Sequence, residues 1–269
     1  MPRFMLARYK NGLLLLALFV LLPTACNRQG TPPSGNDAAQ ADAPAVPASA
    51  PVVLEDVIER DPRYIIGISY PPVAREDAGL AALLKAYADA ARAELETAVQ
   101  GLGGAKPAAP YDLSLGFTEV VANPDIVAVA ANGSSYTGGA HGNPLVARFV
   151  WLPRQGKRLT ADALLADPRG WETISGYVRE QLVVRAELSS NAGSMIDEGT
   201  TPVASSFDQF EPVLDADGRI SALRFVFPPY QVGPYSAGTQ AVEVPAAILL
   251  PLVADEYRSL FSGQVVQGG

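Results

Sequence analysis

The only histidine of this chain, His141, lies in Tyr136-Thr137-Gly138-Gly139-Ala140-His141-Gly142, among short β-like runs where paired glycines are costly. An imidazole near a hydroxyl could serve nucleophilic chemistry, and Ser134 and Ser135 stand just upstream. No nucleophile-elbow motif surrounds either serine, so a Ser-His-Asp site has little support. Two other uses fit the segment. It can be a bulge or tight corner closing a sheet, with His141 tied to backbone, or the corner can contact a ligand or partner. On the second reading Tyr136, Gly138, Gly139 and His141 are candidate partner-binding residues. Tyr230 and Tyr235, set among Pro228, Pro229, Gly233 and Pro234, join them as aromatic groups suited to anchoring an interface. Their bland alternative is a loop locked across a sheet. Asp215 and Asp217 resemble the start of a calcium loop, but the later ligands are missing and Asp217-Gly218 reads as a hairpin turn. No catalytic residue, metal ligand or cofactor motif is singled out. Two acids could still converge to hydrolyse a glycan, without the sequence choosing a pair.

The first 26 residues carry an address. Arg3, Arg8 and Lys10 precede an apolar run from Leu13 to Leu22, followed by Pro23-Thr24-Ala25-Cys26. A basic head, a short apolar stretch and small residues before a cut read as a secretory signal. The run is too short to span a bilayer in helix, which takes about 20 residues. Its end resembles the bacterial lipobox, which implies cleavage after Ala25 and lipidation of Cys26. Cys26 is the only cysteine, so no disulfide forms within the chain. Asn27 resembles the sorting position of lipoproteins sent to the outer membrane. The expected address is therefore the periplasmic side of a Gram-negative envelope, with the membrane as partner through the lipid on Cys26.

Residues 26–50 are dominated by Ala, Pro, Gly, Ser and Asp and cannot bury enough surface to offset their ordering. They read as a tether reaching about 30 to 70 Å. The chain has 20 Lys and Arg against 28 Asp and Glu, a net charge of −8. Loss of Arg3, Arg8 and Lys10 with the signal takes it to about −11, which argues against nucleic acid and favours a basic partner.

The elements that must position the corner follow from periodicity. Val52–Ile58 and Tyr64–Tyr70 are β-rich. From Glu76, Leu80, Leu83, Leu84, Tyr87, Ala91, Leu95 and Ala98 recur at helical spacing until Gly101, with Glu76 and Asp77 at the positive end of the helix dipole. Strands are expected over 111–121, 126–131 and 146–152, with a turn at Asn123-Pro124-Asp125. Thr160 caps a short helix, and Trp171, Ile174, Val178 and Leu182 mark one face of a longer one. The segment 189–206 reads as a polar surface loop. A hairpin at 210–227, a last strand at 242–244 and a helix opened by Pro245 complete the chain. Helices and strands alternate without a parallel rhythm, so the class is α+β. The expected organisation is a signal peptide (1–25), a tether (26–50) and two α+β subdomains (51–125 and 126–269). Each subdomain would pair a mainly antiparallel sheet with one or two helices.

Several segments together resemble a known family: Tyr136 to His141, Leu159-Thr160 with Ala163-Leu164-Leu165, Phe227 to Gly238, and Val244-Pro245. In this order they are similar to the extracytoplasmic domain of the RsiV anti-sigma factor, which also accompanies PdaC-type peptidoglycan deacetylases. The resemblance covers roughly 126–260, and the preceding half resembles the PdaC-like companion domain. It implies a protein-binding module, since RsiV is a lysozyme receptor. Twelve residues before the apolar run leave no room for a cytoplasmic sigma-binding segment, and one histidine does not make the deacetylase metal site. The expected function is a lipid-anchored periplasmic protein that senses or inhibits an envelope-acting protein such as a lysozyme-like muramidase. The alternative is a peptidoglycan-acting enzyme or glycan-binding accessory.

Overall fold

A computed structural model describes residues 53–186 and 192–263. Cys26, the signal and the tether lie outside the described residues. No helix among the described residues is long and apolar enough to cross a membrane.

Among the described residues, nine strands form two sheets. The first has six strands in sequence order: β1 (Val57–Asp61), β2 (Tyr64–Ser69), β3 (Tyr111–Ala122), β4 (Val127–Tyr136), β5 (Asn143–Leu152) and β6 (Lys157–Leu159). Neighbours are antiparallel except β2 and β3, which run parallel because helix α1 (Ala78–Gly101) carries the chain back between them. Asp77 starts α1: its Oδ1 accepts from the Gly79 and Leu80 N–H groups at 2.8 and 3.0 Å. Leu80, Leu84, Ala88, Ala91 and Leu95 then bury one stripe against the sheet, and Val99 rather than Ala98 ends it. The second sheet is β7 (Phe210–Leu214), β8 (Ile220–Phe227) and β9 (Gln240–Pro245), all antiparallel. Asp215 closes the β7–β8 turn by accepting from the N–H groups of Asp217 and Arg219, so the paired aspartates form a turn. The architecture is α+β, with helices packed on two mainly antiparallel sheets.

The boundary expected at 125/126 falls between β3 and β4, hydrogen-bonded neighbours of one sheet. The reason is the strand pattern. Val127, Val129 and Ala131 of β4 face the α1 core, whereas Ile126 and Ala128 face a second core on the opposite side. Phe149 and Trp151 of β5 likewise face α1, while Val150 and Leu152 join the second core. The two cores are thus the two faces of a shared sheet, and no cut in the chain separates them.

The second core is closed by α2 (Ala161–Leu164), α3 (Gly170–Ala186), α4 (Ala192–Gly199), α5 (Ala246–Leu249) and the second sheet. Trp171, Ile174, Val178 and Leu182 form the buried stripe of α3 that their spacing predicts. Trp171 stacks on Phe207 at 5.0 Å between centroids. Part of the expected 189–206 loop is instead helical: α4 seats Ile196, 2% exposed, in the core. Its carboxyl end is fastened to α3 by Ser175 and Arg179, which donate to the Thr200 carbonyl and hydroxyl oxygens.

Charge crosses from the first sheet to the second. Arg148 on β5 is 9% exposed, and its Nε lies 2.7 Å from Glu211 Oε2 on β7. That contact is an ion pair rather than an aligned hydrogen bond. Arg148 Nη1 donates to the Ala147 and Ala131 carbonyls and to Asn132 Oδ1. Glu211 also accepts from Arg224 on β8 at 2.9 Å, and Arg224 reaches Glu243 on β9 at 2.7 Å.

Candidate functional site

The β4–β5 connection, residues 137–142, and the segment after β8, residues 228–239, meet at one corner. Gly138 and Gly139 have φ of 101° and 100°, in the region that side-chain-bearing residues avoid, which accounts for the glycine pair. The Tyr136 hydroxyl donates to the Gly139 carbonyl at 3.2 Å and braces the turn. His141 Nδ1 lies 3.1 Å from the Gly142 carbonyl and Nε2 lies 3.1 Å from the Tyr230 hydroxyl. A carbonyl only accepts, so in the neutral ring Nδ1 carries the hydrogen and Nε2 accepts from Tyr230. The Tyr235 ring stacks on the imidazole at 4.2 Å and 17°. Tyr230 lies 5.6 Å from Tyr235 and 6.4 Å from His141, ring to ring.

The segment bearing the tyrosines is held from beneath. Gln231 donates its side-chain amide to the Gly199 and Ser206 carbonyls at 2.9 Å each, and Val232 is 4% exposed. Gly199 lets the Gln231 backbone approach: a Cβ there would stand 2.0 Å from the Gln231 carbonyl oxygen. With Gln231 and Val232 turned inward, Tyr230 and Tyr235 remain 53% and 40% exposed. Tyr230 also has φ of 76°, the one side-chain-bearing residue in the left-handed region among the described residues. Its N–H donates to the Gly233 carbonyl at 3.0 Å. An aromatic residue held there costs on the order of 1–2 kcal/mol.

The structure therefore brings Tyr136, Gly138, Gly139, His141, Tyr230 and Tyr235 into one corner. As the tight-corner reading expects, His141 is tied to backbone, and the residue remains exposed. Neither Ser134 nor Ser135 bonds to His141; the imidazole nitrogens engage Gly142 and Tyr230. Elsewhere, burial and then the charge of Asp162 push the Asp208 carboxyl up, while Arg158 opposes the shift. Burial pushes the Arg158 guanidinium down. No cluster of three or more metal-ligating side chains occurs among the described residues.

Gln231, Gly199 and the Arg148–Glu211 pair were not singled out from sequence. Arg148 had a legible signal, a charge inside the apolar run Val146–Leu152. Gln231 lies within the family-like segment Phe227 to Gly238, but its contact with Gly199 had no signal, because it joins positions 32 residues apart.

The fold and the corner define an α+β protein with an exposed aromatic site held between two loops. Residues 170–247 match the family model described as a protein of unknown function, DUF3298. The matched residues include Tyr230 and Tyr235, while Tyr136, at the end of β4, and His141, in the β4–β5 connection, precede them. A DUF3298 family protein from Pseudomonas aeruginosa PAO1 shares the fold, with a TM-score of 0.52 and 16% identity over 80% of this chain and 99% of that one. A member of the same family from Bacteroides fragilis NCTC 9343 gives a TM-score of 0.46 and 17% identity over 70% and 71% of the two chains. Among curated proteins, none matches.

Proposed function

We propose that this chain is a lipid-anchored periplasmic binding protein whose aromatic corner recognises an envelope-acting protein, a lysozyme-like muramidase being the leading class. The observation that carries the proposal is Tyr230, exposed, aromatic, and held in a costly backbone conformation by contacts on either side. Local strain at an exposed aromatic residue is better accounted for by binding than by stability. The resemblance of 126–260 to the RsiV domain supports a protein partner. The net charge of −8 favours a basic one by steering its approach. Cys26 would carry the lipid, and 26–50 would set the reach from the outer membrane.

The second reading, a peptidoglycan-acting enzyme or glycan-binding accessory, rests on the same exposed rings, since sugars also stack on tyrosine. Calorimetric titration of the full-length chain with a basic lysozyme, in low and high salt, tests the first reading. A non-enzymatic protein of equal charge serves as control. Stoichiometric binding that survives salt supports a specific receptor or inhibitor. Binding shared with the charge control, or none, removes the muramidase, and retention on insoluble cell wall would then favour the second reading.

A further inference from the structure

We propose that the corner takes an arginine side chain of its protein partner, stacked on the exposed rings of Tyr230, Tyr235 and His141. This rests on the protein-binding reading above and names the group the partner must present. Three rings lie within 4.2 to 6.4 Å of one another, and all three are exposed. Their π faces attract cations. Among the described residues the cation–ring contacts are Lys157 over Tyr257 and Arg158 over Phe149, neither at this corner. The rings are thus open to a cation supplied by a partner, and the acidic balance of the chain favours its approach. The imidazole, stacked on Tyr235 at 4.2 Å, adds a third ring to the corner.

Arginine fits better than lysine. A planar, weakly hydrated guanidinium matches flat rings, whereas an ammonium is a compact, strongly hydrated point charge. A sugar fits less well, because its hydroxyls need polar side chains around the stack. The loops here supply only small hydroxyls, Thr137, Ser236 and Thr239, and no carboxylate, and the Gln231 amide is turned inward to Gly199 and Ser206.

The test uses His141 as its own reporter, since one histidine gives one set of imidazole resonances. Full-length chain in neutral detergent is titrated with the tripeptides Gly-Arg-Gly and Gly-Lys-Gly and with triacetylchitotriose. Gly-Arg-Gly should shift the His141 ring protons saturably and bind more tightly than Gly-Lys-Gly. Tyr235→Leu should weaken it about 2- to 30-fold, while Tyr235→Phe retains it. No shift with Gly-Arg-Gly, or a stronger response to triacetylchitotriose, overturns the proposal. Lysozyme binding that leaves the His141 resonances unmoved also overturns it, while the protein-binding reading stands. The reverse pattern, Gly-Arg-Gly bound without any lysozyme binding, keeps the arginine site and discards the muramidase.

Discussion

Replacing Glu211 by glutamine should destabilise the fold by about 3–5 kcal/mol, because it leaves a buried guanidinium without its counter-charge. Arg148 is 9% exposed, and its Nε contact to Glu211 at 2.7 Å is its ion pair in the structure. Its other bonds, to Ala131, Asn132 and Ala147, are to neutral oxygens. Arg224 loses less, since it keeps Glu243 at 2.7 Å and is 40% exposed along its side chain. For a unit of about 200 residues each kcal/mol moves Tm by about 2–4 °C, so the variant should melt about 6–20 °C lower. Urea unfolding followed by circular dichroism measures the free energy, and calorimetry the midpoint. The decisive comparison is the double variant Arg148→Met/Glu211→Met. Removing both charges should restore most of the loss, since the penalty lies in the unpaired ion rather than in the missing attraction. A loss below about 1 kcal/mol for Glu211→Gln, or a double variant less stable than the single, would refute the claim that this pair is desolvated.

Three further outcomes follow from particular contacts. Burial first, then the charges of Asp89 and Asp56, push the Tyr70 phenol up to about 12, so the unfolded chain ionises before the folded one. Stability present below pH 10 should therefore fall between pH 10 and 12, and Tyr70→Phe should flatten that fall in urea midpoints; an unchanged profile would contradict it. At Gly133 a Cβ would stand 2.0 Å from the Ser114 carbonyl oxygen in the β3–β4 ladder, so Gly133→Ala should cost about 1–3 kcal/mol. A neutral result would mean the strands separate freely there. Tyr230→Gly removes an unfavourable φ along with the bond to His141, so its stability should stay within about 1 kcal/mol of the parent. A loss above about 2 kcal/mol would assign Tyr230 to the fold rather than to binding.

Much of the architecture was legible because burial and period agree. The α3 stripe of Trp171, Ile174, Val178 and Leu182, the acidic start of α1 and the Asp215–Gly218 turn each depend on neighbours within a few residues. The α4 helix was not legible, because Ile196 is its one well-buried apolar residue amid glycine, serine and acids. The pairing of β3 with β4 across the expected subdomain boundary was hidden for a different reason. Residues of β4 are buried on both faces, and a continuous run such as Val127–Ala131 does not reveal that its two sides belong to two cores. The corner itself was readable as a set of residue types and family segments. Its assembly was not, since the His141–Tyr230 bond joins positions 89 residues apart.

The central claim is that the exposed aromatic corner is the binding surface. It is tested most directly by titrating a basic lysozyme in parallel into the full-length chain and its His141→Ala/Tyr230→Gly variant. A parent that binds stoichiometrically and a folded variant weakened by about 30-fold or more would bear it out, since binding anchors typically cost 2 kcal/mol or more when truncated. Equal affinity in the two proteins would contradict it and move the binding surface elsewhere on the molecule.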